Sequence, residues 1–148
     1  MGCKVAIVNP LKWHGGKFYL RQWIIDLMPP HLHYVEPFFG GGSVLLGRDP
    51  ERDWLAEDGR KLAAGQKGCS EVVNDIHLEL TNFWKVLQDE QGFAAFTRKV
   101  EATPFSEVEF DAPIREFEST VDRAVKFFIH ARQSRQGLMR DFATLSRN

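Results

Sequence analysis

Residues 34–46, Tyr34-Val35-Glu36-Pro37-Phe38-Phe39-Gly40-Gly41-Gly42-Ser43-Val44-Leu45-Leu46, constrain the fold more than any other stretch of the chain. A short apolar run ends in three consecutive glycines and resumes as an apolar segment. In one dimension this is a buried strand, a tight turn and a helix start. Glycine lets the backbone take φ > 0 and approach a ligand with no Cβ in the way. The first amides of a helix have no intrahelical partner and point toward any polar or charged group placed there. Strand, glycine turn and helix together read as the first βα unit of an α/β fold that holds a nucleotide-like ligand. Three glycines are also the composition of a plain surface loop. Two named motifs are disfavoured. A P-loop ends in Gly-Lys-Ser/Thr, whereas Gly42 is followed by Ser43-Val44. A dinucleotide fingerprint needs a small residue where Leu45 stands.

With 148 residues the chain is long enough for one domain with a real core. An apolar fraction of 43% and a charged fraction of 26% are those of a globular protein. No apolar run approaches the roughly 20 residues that span a bilayer. The stretch Val5-Ala6-Ile7-Val8 is too short for a signal peptide, and Met1-Gly2 with Ala6 does not fit a myristoylation signal. Cys3 and Cys69 are too few for a disulfide scaffold and lack metal-ligand spacing, which fits reduced thiols in a cytoplasmic protein. The five histidines show no metal-binding pattern, so no metal is expected.

The net charge of −1 does not announce a nucleic-acid partner. Its distribution says more. From Val125 to Asn148 five cations (Lys126, Arg132, Arg135, Arg140 and Arg147) face one anion, Asp141, a local +4. Such a segment suits a phosphate-facing surface. It equally suits a solvated helix face.

Residues 18 to 28 read as a helix with Leu20, Trp23, Ile24, Leu27 and Met28 on one stripe, stopped by Pro29-Pro30. Tyr34 to Phe38 is the first strand, and a short helix begins at Ser43. Residues 48 to 70, polar and with Gly59, Gly65 and Gly68, read as a mobile surface insertion. Glu71 to Asp75 is a second strand, followed at once by a helix carrying Ile76, Leu80, Phe83, Trp84 and Leu87. A weaker helix holds Phe93, Phe96 and Val100 until Thr103-Pro104. Another runs from about Ile114 or Ser119 to Gln133 with Val121, Val125 and Phe128. The tail from Ser134 has no clear period. Two strands cannot make an α/β domain alone, so either further strands go unrecognised in the sequence or the sheet is incomplete in this chain.

Two further elements carry chemistry. Asp75 ends the second strand, where an acid accepts hydrogen bonds from ribose hydroxyls. It stands about a dozen residues beyond the roughly 20 usual for that motif, an excess that the insertion accounts for. Asp75 is also placed to cap the helix after it. The segment Lys12-Trp13-His14-Gly15-Gly16-Lys17 offers an aromatic face at Trp13 and a cation at Lys17 for a carboxylate or phosphate. It is also an ordinary glycine turn before a helix.

Lys-Trp-x-Gly-Gly-Lys, then Val-Glu-Pro-Phe-Phe-Gly-Gly-Gly-Ser-Val, then Val-Val-Asn-Asp before a helix, resembles the N6-adenine-specific DNA methyltransferases of the Dam-like (D12) class. The motifs occur in that family's order and cover residues 10 to 90 best. The resemblance implies a Rossmann-like methyltransferase fold and S-adenosylmethionine as methyl donor. By motif position, Trp13 and Lys17 belong to the cofactor site, with Lys17 near the methionine end. The turn through Glu36, Pro37, Phe38, Gly40 and Gly42 wraps the methionine, and Asp75 binds the ribose. Residues 1–90 form the cofactor-binding α/β portion. Residues 91–148 form a helical part that begins the target-recognition region. Its Phe127-to-Arg140 stretch resembles the family's aromatic-rich segment ending in Gly-Leu-x-Arg. Arg132, Arg135 and Arg140 are then expected to meet double-stranded DNA, at phosphates or a guanine edge.

The sequence departs from the family in one respect. The Asp-Pro-Pro-Tyr motif, which grips the target amine and stacks the flipped adenine, is absent. Met28-Pro29-Pro30-His31 has the prolines without the acid or the aromatic, and Val8-Asn9-Pro10-Leu11 has one proline. The family carries that motif after its recognition region. The chain is therefore expected to be the N-terminal portion of a methyltransferase, catalytically silent alone, with no catalytic residue among these positions. A non-catalytic module binding cofactor or DNA, and a nucleotide-binding α/β enzyme of other chemistry, are the rival readings. The target site, a restriction, phage or housekeeping role, and the oligomeric state stay open.

Overall fold

The computed structural model describes residues 9–29, 31, 33–48 and 69–144. They fall into two compact units, one drawn from Met1–Pro10 and Gly16–Asn74, the other from Leu11–Gly15 and Asp75–Asn148.

The first unit is α/β. Helix α1 (Arg21–Asp26) leads to strand β1 (His33–Glu36), helix α2 (Ser43–Gly47) and strand β2 (Ser70–Val73). The strands pair in parallel, with His33 opposite Ser70, Tyr34 opposite Glu71, Val35 opposite Val72 and Glu36 opposite Val73. Two more backbone bonds carry the pairing past the strand ends: Asn74 N donates to Glu36 O at 3.0 Å, and Phe39 N donates to Asn74 O at 2.9 Å. The glycine turn is thereby tied to the carboxyl end of β2. Ile25, Tyr34 and Val44 make the small core.

α1 turns only part of its expected stripe inward. Ile24 and Met28 pack against the core, but Leu20, Trp23 and Leu27 are 56%, 64% and 65% exposed, and the buried residue is Ile25. The reason lies at Gly47. A Cβ there would come within 3.1 Å of Arg21 Cδ and 3.3 Å of Ile25 Cδ1. The missing side chain lets α2 close on the Arg21–Ile25 edge, one helical turn apart, and that contact selects the buried face. Residues 49–68, most of the expected insertion, lie outside the described residues. Arg48, read as its first residue, is 7% exposed.

The second unit is helical. It holds α3 (Leu78–Gln88), α4 (Glu90–Ala102), α5 (Glu107–Asp111) and α6 (Thr120–Gln133), then a 3₁₀ turn at Arg135–Gly137. α5 is too short and acidic to show a period in sequence, and only Phe110 on it is buried. α3 starts at Leu78, two residues later than expected, because His77 is its cap: Nδ1 accepts from Leu80 N at 3.3 Å. Ile76 is left 92% exposed. α4 is capped by Asp89, whose Oδ2 accepts from Gly92 N at 2.6 Å. α6 is capped by Ser119, whose Oγ accepts from Asp122 N at 3.1 Å.

The core gathers Leu11 with Leu80, Phe83, Val86, Phe96, Val125, Phe127 and Ile129. Phe83 is its hub, with ring centroids 5.7 Å from Phe96, 5.9 Å from Phe127 and 6.1 Å from Phe128. α6 buries Ala124, Val125, Phe127, Ile129 and Ala131. That is wider than one stripe, as expected of a helix packed on several sides; α3, α4 and α5 all contact it.

Asp122 links α4 to the start of α6. Lys99 Nζ lies 2.8 Å from its Oδ1, and Ser119 Oγ donates to its Oδ2 at 2.6 Å. The lysine first and the hydroxyl second hold this carboxyl below its ordinary value. A group whose folded value is depressed favours the folded state above its unfolded value, and that contribution disappears as pH falls through the folded value. Stability should therefore decline below about pH 4, the ordinary aspartate range, and Asp122→Asn should flatten part of that decline. Thermal midpoints measured across the acid range for parent and variant check this. Identical acid slopes would remove Asp122 from the explanation.

Candidate functional site

The glycine turn takes its shape from Phe39. Gly42 caps α2 in the left-handed region with φ 69°, and Gly40 has φ 52°. A Cβ on Gly42 would stand 2.7 Å from Phe39 Cζ. Gly42 is thus required twice, by its backbone and by a buried ring of its own turn. Gly42 N donates to Phe39 O at 3.0 Å and closes the turn.

Beside the turn lies an open cavity of about 270 Å³ lined by Lys17, Ile24, Met28, Tyr34, Val35, Glu36, Pro37, Phe38 and Val44. Four residues expected at the cofactor, Lys17, Glu36, Pro37 and Phe38, meet here. Gly40 and Gly42 shape the adjoining backbone without lining it. One cation and one carboxylate on mainly apolar walls suit a small zwitterion with an apolar chain. The volume is below the roughly 300–1,000 Å³ typical of drug-sized ligands, so the cavity accommodates part of a nucleoside-sized molecule.

Glu36 is held by Tyr34, whose hydroxyl donates to Glu36 Oε2 at 2.8 Å. Burial above all, and then the bond to Glu36, pushes the Tyr34 hydroxyl well above its ordinary value, so it remains a donor. The Tyr34 ring is also used by Arg48, whose guanidinium carbon lies 3.9 Å from the centroid. Arg48 contacts His31 Nε2 at 3.1 Å, Glu71 Oε1 at 3.4 Å and Cys69 Sγ at 3.6 Å. His31 Nδ1 lies 2.8 Å from Pro29 O, so the imidazole bridges Arg48 and the backbone before β1. The arginine ties the end of α2 to both strands. Sequence reasoning missed it, because nothing local separates Arg48 from the charged run that follows.

Trp13 and Asp75 belong to the second unit, where His77 joins them. The Trp13 ring lies 5.9 Å from His77, edge-on, and 6.1 Å from Phe127. Asp75 Oδ1 accepts from His77 N at 3.0 Å. Asp75 therefore shapes the turn before α3 and leaves the capping to His77. The signal for His77 was its place two residues after an acid and just ahead of an apolar helix. Gly15 stands at φ 71° with nothing within 4 Å of a Cβ built on it. Its backbone demands glycine, while the space beside it stays open to a ligand.

Arg132, Arg135 and Arg140 are exposed, and none forms an ion pair with another described residue. Lys126, counted with them in sequence, is engaged by Glu118 Oε1 at 2.6 Å and Pro113 O at 2.9 Å. Of the cations counted from Val125 onward, the exposed ones among the described residues are thus the three arginines. Also among the described residues, no group of three or more His, Cys, Asp or Glu is placed to hold a metal, and no helix is long and apolar enough to cross a membrane.

One unit thus carries a strand–glycine turn–helix with an adjoining cavity bearing one cation and one carboxylate, and the other a set of helices with exposed arginines. The family model of the D12 class N6 adenine-specific DNA methyltransferases matches residues 13–141, and the chain belongs to that family. It is 33% identical over 132 residues to a DNA adenine methylase of Escherichia coli K12, covering 88% of this chain and 42% of that protein. It is 38% identical over 80 residues to a DNA adenine methylase of Vibrio cholerae, covering 54% of this chain and 22% of that protein. With a DNA N-6-adenine-methyltransferase of Escherichia phage P1 it shares 33% over 79 residues, 53% of this chain and 8% of that protein. The chain spans less than half the length of these relatives.

The turn can be tested directly. Gly42→Ala should lower stability by about 1–3 kcal/mol or more, because alanine must take a left-handed backbone and Phe39 must move. Chemical denaturation measures it. An unchanged midpoint would show that the turn relaxes freely.

Proposed function

We propose that this chain carries the cofactor-binding and DNA-contacting parts of a site-specific DNA adenine methyltransferase on a Rossmann-like fold. The protein would transfer a methyl group from S-adenosylmethionine to adenine N6. The observation that carries this reading is the cavity beside the glycine turn, where Lys17, Glu36, Pro37 and Phe38 converge. Its ammonium, carboxylate and apolar walls fit the methionine end of S-adenosylmethionine. Lys17 offers a counter-charge to the ligand carboxylate, Glu36 to its ammonium, and Tyr34 keeps Glu36 oriented. Trp13 offers an aromatic face, and Asp75 an acceptor for the ribose hydroxyls. When bound, the cofactor supplies an electrophilic methyl group on a sulfonium sulfur. Residues 1–90 serve cofactor binding under this reading, and 91–148 begin target recognition.

The three exposed arginines support double-stranded DNA as the partner, through the phosphate contacts that dominate affinity. With DNA as the partner, the working compartment is the cytoplasm. These 148 residues hold no Asp-Pro-Pro-Tyr motif, so the reading assigns them binding and positioning of cofactor and DNA, with no residue of the chemical step.

Asp75→Ala should weaken S-adenosylmethionine binding by about 1–3 kcal/mol through loss of a charged acceptor, and Lys17→Ala should weaken it as well. Calorimetry that finds affinity intact in both variants would overturn the cofactor assignment. Replacing Arg132, Arg135 and Arg140 with alanine should weaken DNA binding and reduce its log–log salt slope by about 0.9 for each phosphate left without its arginine. An affinity and slope equal to the parent's would return these arginines to an ordinary solvated face.

A further inference from the structure

Arg48 is a charged residue whose side chain is fully buried. Its backbone is fixed first: Arg48 N donates to Val44 O at 3.1 Å and to Leu45 O at 3.2 Å, at the end of α2. From there the guanidinium lies over the Tyr34 ring on β1 and faces Glu71 on β2. Removing an arginine from water is costly, and pairing it inside a protein does little more than offset that cost. Apolar side chains of similar volume often do as well or better in such a place. Stability therefore does not call for an arginine at this position.

What the arginine does supply is a flat cation against the Tyr34 ring, with the His31 ring centroid 6.1 Å from that of Tyr34. These two contacts hold the plane of the phenol, and the plane sets where its hydroxyl points. The hydroxyl ends at Glu36 Oε2, 2.8 Å away. Glu36 is the carboxylate of the cavity wall. A hydroxyl orients a carboxylate without cancelling its charge, whereas a guanidinium in the same place would cancel it. The two roles are divided here. Arg48 has its counter-charge in Glu71, with Nη1 3.4 Å from Oε1, and Glu36 is held by a hydroxyl. The cavity thus presents a negative charge of fixed direction to a cationic group on a ligand.

We infer that Arg48 is a positioning residue for recognition of the ligand's ammonium group, acting through the Tyr34 ring on the Glu36 carboxylate. This rests on the reading of Glu36 given above and names how that contact is built. A ligand with the same nucleoside but no ammonium group gains nothing from it.

The test compares two nucleosides on the full chain by calorimetry. S-adenosylhomocysteine carries the amino-acid end. Methylthioadenosine has the same nucleoside and thioether sulfur without it. In Arg48→Met, affinity for S-adenosylhomocysteine should fall about five- to tenfold, the scale of one hydrogen bond to a charged group. Affinity for methylthioadenosine should stay at the parent's. Glu71 is partly exposed, so water takes up its charge in this variant. Arg48→Lys keeps the charge and loses the flat guanidinium. It should show the same split, and it keeps the question decidable if the methionine variant does not fold. Tyr34→Phe should show the split too. Combined with Arg48→Met it should cost no more than one change alone, because the two residues act in series. That double variant decides the matter even where methylthioadenosine binds too weakly to measure. Equal losses for both nucleosides would mean a general loosening and would overturn the inference. So would losses that add in the double variant, or an unchanged affinity for S-adenosylhomocysteine in both Arg48 variants. Each of these leaves the functional reading standing. A parent chain that does not bind S-adenosylhomocysteine overturns both.

Discussion

The hydrogen bond from Phe39 N to Asn74 O is small, but the first unit is organised around it. Parallel pairing of β1 and β2 brings two carboxyl ends together, and this bond fixes the glycine turn against the second of them. With the turn fixed, Phe39 is buried, Gly42 must do without a side chain, and α2 leaves in one direction. Pro37 and Phe38 are then held at the cavity. The same pairing sets Tyr34 opposite Glu71, which lets Arg48 reach across both strands. A parallel pair is usually covered on both faces. Here Val35 and Val72 remain 61% and 53% exposed, so local bonds and the arginine carry more of the order than a thick core does.

The second unit is organised by packing. Phe96 sets edges against faces with Phe83 and Phe128, while Phe83 and Phe128 stack, both arrangements that aromatic pairs favour. Trp13 and His77 extend this cluster toward the surface, so the proposed ligand-facing aromatic is set by the core behind it. Such placement gives a binding residue a rigid backing. The arginines stand at the far end of α6 and on a loop where Gln136 and Met139 take φ 54° and 57°. Positional precision in this unit comes from side-chain volume and glycine seats.

Much of this was legible in the sequence. The glycine turn, both strands and the helices through Phe83, Phe96 and Val125 announced themselves by period and by turn chemistry. The family resemblance grouped Lys17, Glu36, Pro37 and Phe38, and these four line one cavity. What escaped depends on tertiary contact. The inward face of α1 was read only in part, through Ile24 and Met28, because its short sequence carries apolar groups on both sides, and Gly47, some twenty positions away, decides between them. Arg48 looked like surface because a buried arginine is recognisable only by its partners, His31, Tyr34 and Glu71. The exact start of α3 was set by an imidazole acting as a cap, a role more often taken by Ser, Thr, Asp or Asn. Gly137 gave no sign of its seat on Lys12, whose carbonyl oxygen a Cβ there would strike and whose Nζ donates to Ser134 O, since a contact across most of the chain leaves no periodic trace.

That last contact also bears on how the chain acquires its structure. The bond from Lys12 to Ser134 spans 122 positions. Closing a loop of that length in an otherwise unfolded chain costs about 4 kcal/mol plus a constant, from (3/2)RT ln n. Contacts of such separation are made profitably only after local structure exists. α3 and α4 are joined by a single residue and can pair early. Residues 11–15, although synthesised first, can settle only once α6 and the turn beyond it have emerged. During translation the amino-terminal segment is therefore the oldest part of the second unit and among the last to find its place.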